Sequence, residues 1–534
     1  MEQNISSDKP VSRRQEDRFQ RYEFSRRIAQ RIINSTSSDS IVIGIYGAWG
    51  EGKTSVINFI EEELKTDENI IAIRFNPWRF TEEATLLVSF FNTLASRLKE
   101  SFPEKEIEKT NSILRKISEW KKKWEDTKEP LKSDKETIGK LLEKYGKIVS
   151  VFGAGEAAES LGKALSNVDV ETLKKRFEKL LVDSNKKLVV FIDGIDRLDK
   201  QEIHSIFRLV KLTADFSNTF YVLSFDEEMV ASAIGERFGE GNQQAGFNFL
   251  EKIIQVPLKI PVAQAEDLKQ YCFELINKAI SENQVQLSKD DVQRFVSEFV
   301  ENVLIRLKTP RQAIRYSNTL SFSFSLLNGE VNLVDLMLIE ALKIFYPLHY
   351  EFVKNNPHYF LSSYESHSYS RYEGNDKELK KKELNDSFEE LGKGLLKREK
   401  ESVKSLLSEL FPRLDEAFRN MFVDKGSEEW YKNKRIVSPG YFNRYFSYAA
   451  LKGEISDVLF DSFINSIAST TEDNIIESFK RLIESSSIDN FLSKLRSREE
   501  DFDWETSQKL AFSIALSGDI FKDNYDECES RVKK

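Results

Sequence analysis

Cysteine is nearly missing from this chain. In 534 residues only Cys272 and Cys528 occur, far apart, beside four scattered histidines. That excludes a disulfide framework and any metal-ligand spacing, and it fits a reducing cytoplasm. Proline and glycine are sparse too, at 11 and 22 residues, which excludes a low-complexity scaffold and argues against a turn-rich sandwich. No apolar run reaches the roughly 18 residues a membrane span needs. The nearest case, Ile138 to Leu165, carries several charges and reads as a helix pair or an amphipathic insertion. The opening stretch MEQNISSDKPVSRRQEDRF has no apolar core and is not a signal peptide. A basic excess is lacking as well. The net charge of -9 argues against a chain-wide nucleic-acid footprint, so nucleic acid is not indicated beyond a local patch.

What is present suits packed, helix-rich interiors: 40% hydrophobic residues, 39 phenylalanines and 31% charged residues. The length exceeds one core and predicts roughly two to four domains.

The stretch IVIGIYGAWGEGKTSVINFI, Ile41 to Ile60, carries the strongest signal. Gly47 to Thr54 fits G-x-x-x-x-G-K-[ST], preceded by an apolar β-type run and followed by Val56, Ile57, Ile60 and Leu64 at helical spacing. Strand, glycine loop and helix are what a phosphate-binding loop requires. Glycines let backbone N–H groups point at phosphates at the positive end of the helix. Gly47, Trp49, Gly50, Glu51, Gly52, Lys53, Thr54 and Ser55 are the candidate nucleotide contacts. Lys53 is expected on the β- and γ-phosphates and the Thr54 hydroxyl on Mg²⁺. A second carboxyl-bearing strand is expected at KKLVVFIDGIDRLDK, where the apolar run Leu188 to Ile192 ends at Asp193. Asp193 is therefore the candidate metal-organising carboxylate. An Asn-Lys-x-Asp guanine reader is lacking, so ATP is expected rather than GTP.

Several stretches together resemble the KAP family of P-loop NTPases: YGAWGEGKTS with a Trp inside the loop, RFNPWRF at Arg74 to Phe80, FIDGIDRL, YVLSFDEEMV, FLEKIIQVPLKIP, TPRQAIRYSN and RIVSPGYFNRYFSYA. The resemblance implies a cytoplasmic Mg-dependent ATPase, a homo-oligomer acting with partner proteins in a bacterial membrane-associated or anti-phage defence system. It also makes Asp226, at the end of its strand, a residue that polarises the attacking water or reports the γ-phosphate; a helix N-cap is the other reading. Two departures stand out. About 140 residues separate Lys53 from Asp193, where many members carry transmembrane helices, but here the segment is rich in Lys and Glu. Gly194 stands where the family has its second Asp. Glycine offers no side chain as a base, which leaves Asp196 as a candidate and keeps open an ATP-gated assembly module with negligible hydrolysis.

The expected architecture is α/β: a parallel three-layer P-loop core over 1–260 with a helical insertion at 101–180, a small helical lid over 261–330, and an all-α C-terminal domain over 331–534. Strands are expected at 41–46, 69–75, 188–193, 219–225 and 253–258, with helices over 14–33, 82–99 and 199–212. Thr309-Pro310 should start a lid helix carrying Arg311 and Arg315 on one face, and Arg311 is a candidate γ-phosphate sensor. Tyr441, Phe442, Tyr445, Phe446 and Tyr448 repeat at helical spacing, as an aromatic core would; base stacking is the less favoured reading.

Overall fold

In the computed structural model, the described residues are 7–77, 178–236 apart from 180 and 214–215, 242–361, 373–415, 427–449, 453–467, 472–484 and 488–516, with isolated positions between 86 and 97. The chain divides into two compact units, one over Asp8–Asp267 and one holding Leu268 onward.

In the first unit the elements run α1 (Arg21–Ile33), β1 (Ile41–Tyr46), α2 (Lys53–Leu64), β2 (Ile70–Phe75), β3 (Lys187–Asp193), α3 (Lys200–Thr213), β4 (Thr219–Phe225), α4 (Glu227–Gly235), α5 (Gln243–Glu251) and β5 (Val256–Lys259). The strands form one parallel sheet in the order β2-β3-β4-β1-β5. Continuous apolar runs suit strands covered on both faces, and every residue of β4, at the centre, is buried. One sheet face packs Ile43, Ile45, Phe191 and Val222 against Ile28 and Ile32 of α1 and Val56, Ile57 and Ile60 of α2. The other packs Val42, Val190, Ile192 and Leu223 against Ile206, Phe207 and Val210 of α3, Val230 and Ile234 of α4, and Phe249 and Leu250 of α5. The three layers follow from that division. In this strand order β4 lies between β1 and β3, so its end adjoins both the glycine loop and the β3 carboxylate.

Two boundaries differ from the sequence reading by more than one residue. The first helix begins at Arg21, because the Asp17 carboxylate accepts from the Phe19 and Tyr22 amides (3.1 and 2.8 Å) and Gln20 turns left-handed at φ 57°. The last strand begins at Val256, since the Ile253 and Ile254 amides still donate to Leu250 O, both at 2.9 Å, as the last turn of α5 ends. Pro257, which has no N–H to donate, then sits on the sheet edge. The expected helix at 82–99 and the insertion at 101–180 lie largely outside the described residues, although Leu86, Phe90 and Leu94 are described and buried in the sheet core. Among the described residues no helix is long and apolar enough to cross a membrane; the 138–165 segment lies outside them.

The second unit, as described, is built from helices and their connections. α6 (Ala265–Glu282) enters it, followed by α7 (Lys289–Glu298), α8 (Pro310–Leu327), α9 (Leu333–Phe345), α10 (Pro347–Asn355), α11 (Glu373–Leu391) and α12 (Lys397–Leu410). Then come α13 (Pro439–Ser447), α14 (Asp457–Ile467), α15 (Glu472–Glu484), α16 (Ile488–Ser497) and α17 (Trp504–Leu516). α9 is the buried axis, with Val334 to Leu342 all inaccessible. Its Asp335 receives Arg294 at 2.5 Å, Arg435 at 2.7 Å and the Ile436 amide at 2.9 Å. Tyr441, Phe442 and Tyr445 are buried, as the core reading expects. Beside them Arg444 is paired with Glu330 (3.0 Å), Glu454 (2.7 Å) and Asp457 (2.6 Å), and Lys494 reaches Asp457 at 2.7 Å. α11, rich in Lys and Glu, buries Leu384 and Phe388 beneath its solvated face.

Candidate nucleotide-binding site

Gly47 to Gly52 join β1 to α2. Gly50 and Gly52 take φ of 90° and 89°, conformations that carry little cost only for glycine. The loop is braced from within: the Glu51 carboxylate accepts from the Ala48 amide at 2.7 Å, and the Gly47 amide donates to Phe225 O at 3.4 Å across the sheet end. Trp49, 53% exposed, projects from the crest. Lys53 opens α2, with Thr54 and Ser55 half-buried behind it in the first turn, whose leading amides have no partner within the helix.

The Lys53 ammonium does not stand free. It forms a 2.9 Å ion pair with Asp196 and donates to Gly47 O (2.9 Å) and Ala48 O (3.4 Å). Asp196 arrives there because Gly194 turns left-handed at φ 75° and starts a single 3-10 turn, Ile195–Arg197. The same Asp196 oxygen accepts the Asp226 amide at 3.2 Å. Asp193, in register with Ser224, accepts a hydrogen bond from the Ser224 hydroxyl. The Asp226 carboxylate accepts from the Glu228 and Met229 amides (3.1 and 3.2 Å) as the N-cap of α4. Lys53, Asp196 and the Asp226 amide are thus one contact set, and Asp193 is anchored beside it by Ser224. Arg311 lies in the second unit, at the second position of α8, a helix begun by Thr309, whose hydroxyl accepts the Gln312 amide at 3.3 Å.

Three contributors carry no sequence signal comparable to the loop. Arg21, buried at the start of α1, donates to Glu51 O on the loop and to Pro261 O at 3.4 Å. Burial pulls its guanidinium below the usual range, with the Glu51 and Asp17 carboxylates pulling the other way. A Cβ on Gly52 would stand 2.6 Å from the far end of the guanidinium, which a flexible side chain can yield, so it is the φ of 89° that holds Gly52 to glycine. The Val11 amide donates to Ser55 Oγ at 3.2 Å, and Asn58 donates to Val11 O at 2.9 Å, laying the N-terminal segment along α2. Ser224 alone had a cue: a small hydroxyl inside the apolar run Val222 to Phe225, two positions before Asp226.

Strand, glycine loop with a lysine, and a neighbouring strand ending in a carboxylate are the geometry of a P-loop domain. A profile of the KAP family P-loop domain matches residues 21–327, more than half the chain. The chain belongs to the KAP family. This KAP protein is 24% identical over 353 residues to the phage T7 exclusion protein of Escherichia coli (strain K12), an alignment covering 64% of this chain and 46% of that protein. It therefore spans less than half the length of that relative. Among solved structures it is similar to the Aeropyrum pernix ORC2 protein (ADPNP-ADP complexes), at 14% identity and TM-score 0.26 over 57% of this chain and 62% of that one. It is also similar to the Aeropyrum pernix ORC1 protein in complex with DNA, at 14% identity and TM-score 0.26 over 73% and 83%. Those scores are too low to add to the fold argument, which rests on the KAP match and on the sheet itself.

Proposed function

We propose that the first unit binds Mg-ATP in the Gly47–Thr54 loop and hydrolyses it. We propose further that the nucleotide state moves the 261–330 lid and the 331–534 helical domain within a multi-protein complex serving bacterial defence. The observation that carries the reading is the loop itself: Lys53, at the start of α2, meets Gly47 O after β1 and Asp196 after β3, and through Asp196 the Asp226 amide after β4. Lys53 would take the β- and γ-phosphate oxygens. Thr54 and Asp193 would hold Mg²⁺, whose preference for hard oxygen donors and few protein ligands fits one hydroxyl and one carboxylate. The ion would neutralise phosphate charge. Asp196 would accept the proton of the attacking water, Asp226 would polarise that water or report the γ-phosphate, and Arg311 would sense hydrolysis from α8. The phage exclusion relative supports the defence setting. An oligomer acting with partner proteins, in the cytoplasm, belongs to the same proposal.

A second reading has one observation in its favour. Gly194 has no side chain, and Asp196 is committed to Lys53, so no carboxylate of this turn is free to act as a base. The protein would then be an ATP-gated assembly module with negligible hydrolysis. Phosphate release at saturating ATP separates the two.

The loop assignment is tested by Mg-ATP stabilisation. Ligand at about a hundred times its dissociation constant adds roughly 2.7 kcal/mol to the state that binds it, and melting rises by several degrees, at ~2–4 °C per kcal/mol. Lys53→Ala is expected to erase most of that rise. A Lys53→Ala protein that shifts as far as wild type would falsify the assignment.

A further inference from the structure

Lys53 has three N–H donors and three acceptors: Asp196 at 2.9 Å, Gly47 O at 2.9 Å and Ala48 O at 3.4 Å. Its donors are fully used. Both members of the ion pair are almost wholly inaccessible, with side chains 9% and 6% exposed, so water does not loosen the contact much. A phosphate can take Lys53 only by displacing one acceptor. Asp196 is the acceptor that must yield, because a phosphate oxygen brought to Lys53 places like charge beside the carboxylate, whereas the two carbonyls are neutral.

We propose that the Lys53–Asp196 pair is an internal latch on the phosphate loop, opened by the phosphates of an arriving nucleotide. Asp196 acts as an intramolecular stand-in for phosphate, a competitor that keeps Lys53 in place and sets the affinity for nucleotide. This rests on the phosphate reading of the loop proposed above. The latch has a built-in relay. The Asp196 oxygen that holds Lys53 also holds the Asp226 amide, and Asp226 caps α4 through the Glu228 and Met229 amides. Opening the latch therefore releases a bond at the junction of β4 and α4. Gly194 makes the arrangement reachable, since its left-handed φ of 75° folds the turn back under the lysine. An Asp196 that serves as a base does so only after the latch has opened, which orders the two roles in time.

The experiment measures binding of a fluorescent ADP analogue, with and without Mg²⁺, to the full chain and its variants. Asp196→Asn keeps the volume and an acceptor for the Asp226 amide but removes the charge. If the latch is closed in about nine molecules of ten, its removal tightens binding about tenfold, the fraction by which a rarely competent state weakens apparent affinity. Asp196→Ala is expected to tighten it in the same direction, and unliganded melting checks that both variants fold. Amide exchange over 226–229 is expected to quicken when nucleotide is added to wild type, and to be already fast and unresponsive in Asp196→Ala, which leaves the Asp226 amide without that acceptor. Affinity that is unchanged or weaker in both folded variants, while Lys53→Ala still abolishes binding, overturns the latch and leaves the phosphate loop intact. Retained binding in Lys53→Ala overturns the loop reading, and the latch falls with it. Exchange at 226–229 that ignores nucleotide in a wild type that binds it overturns the relay.

Discussion

Gly194 adopts φ 75°, and a Cβ built on it would meet Arg197 Cδ at 3.4 Å, an ordinary contact. Space is therefore not the constraint at this position; backbone conformation is. An L-residue forced left-handed costs about 1–2 kcal/mol, and Asn or Asp, whose side chains bond locally, tolerate it best. Gly194→Ala is expected to lower stability by about 1 kcal/mol and Gly194→Asn by clearly less, measured by urea denaturation of the two variants. Equal losses, or none, would mean that the turn relaxes to another conformation. The sequence identifies Gly194 as the residue standing in for the family's second Asp, but not the turn it makes. That turn is what carries Asp196 to Lys53, a pairing between positions 143 residues apart (196 − 53) that no spacing rule encodes. Arg21 is the stronger case. It reaches Pro261, 240 residues away, and nothing in its neighbourhood marks it.

At the level of elements, legibility followed periodicity. β1 and β4 lie where their apolar runs place them, because strands buried on both faces need continuous hydrophobic sequence. α8 begins at Pro310 as the Thr-Pro pair predicts, with Thr309 and Gln312 capping each other. Where hydrogen bonding by one side chain decides a boundary, as at Asp17 before α1, the pattern misleads by several residues. Burial within an element has consequences of its own. His349 of α10 is buried between Tyr346 and Phe388, and that burial, with the Arg306 and Lys404 cations nearby, pulls its imidazole from 6.5 to about 4. Because the folded value is depressed, the unfolded chain takes up a proton near pH 6.5 while the folded chain does not until about pH 4. Stability from this residue is complete above about pH 6.5 and falls as pH drops toward about 4, by roughly 3 kcal/mol in total. His349→Phe keeps an aromatic edge between the same rings and cannot titrate. The stability difference between wild type and His349→Phe is expected to change by that amount between pH 7 and pH 4, read from denaturation midpoints at each pH. A difference that stays constant would place the His349 titration near its ordinary value.

At the level of the whole chain, the two compact units carry different parts of the proposed chemistry. The phosphate loop and both carboxylate turns belong to the unit over Asp8–Asp267, while Arg311 belongs to the unit that begins at Leu268. The second unit is a compact body in its own right. It has its own apolar axis in α9 and buried charge clusters on Asp335 and Arg444, and breaking one partner of such a cluster costs several kcal/mol. Within that unit α8, which bears Arg311, is packed through Tyr316, whose hydroxyl donates to Met337 O at 2.8 Å. If nucleotide bound in the first unit is sensed by Arg311, limited proteolysis of the second unit should differ between Mg-ATP and no nucleotide, with the change read at the 362–385 stretch. Arg311→Ala should then reduce that ATP-dependent difference severalfold while changing ATP affinity by a smaller factor, because the residue acts on the response more than on capture. Cleavage patterns that are identical with and without ATP, in a protein whose Lys53-dependent binding is intact, would leave the helical unit a scaffold and confine the nucleotide's effect to the sheet domain.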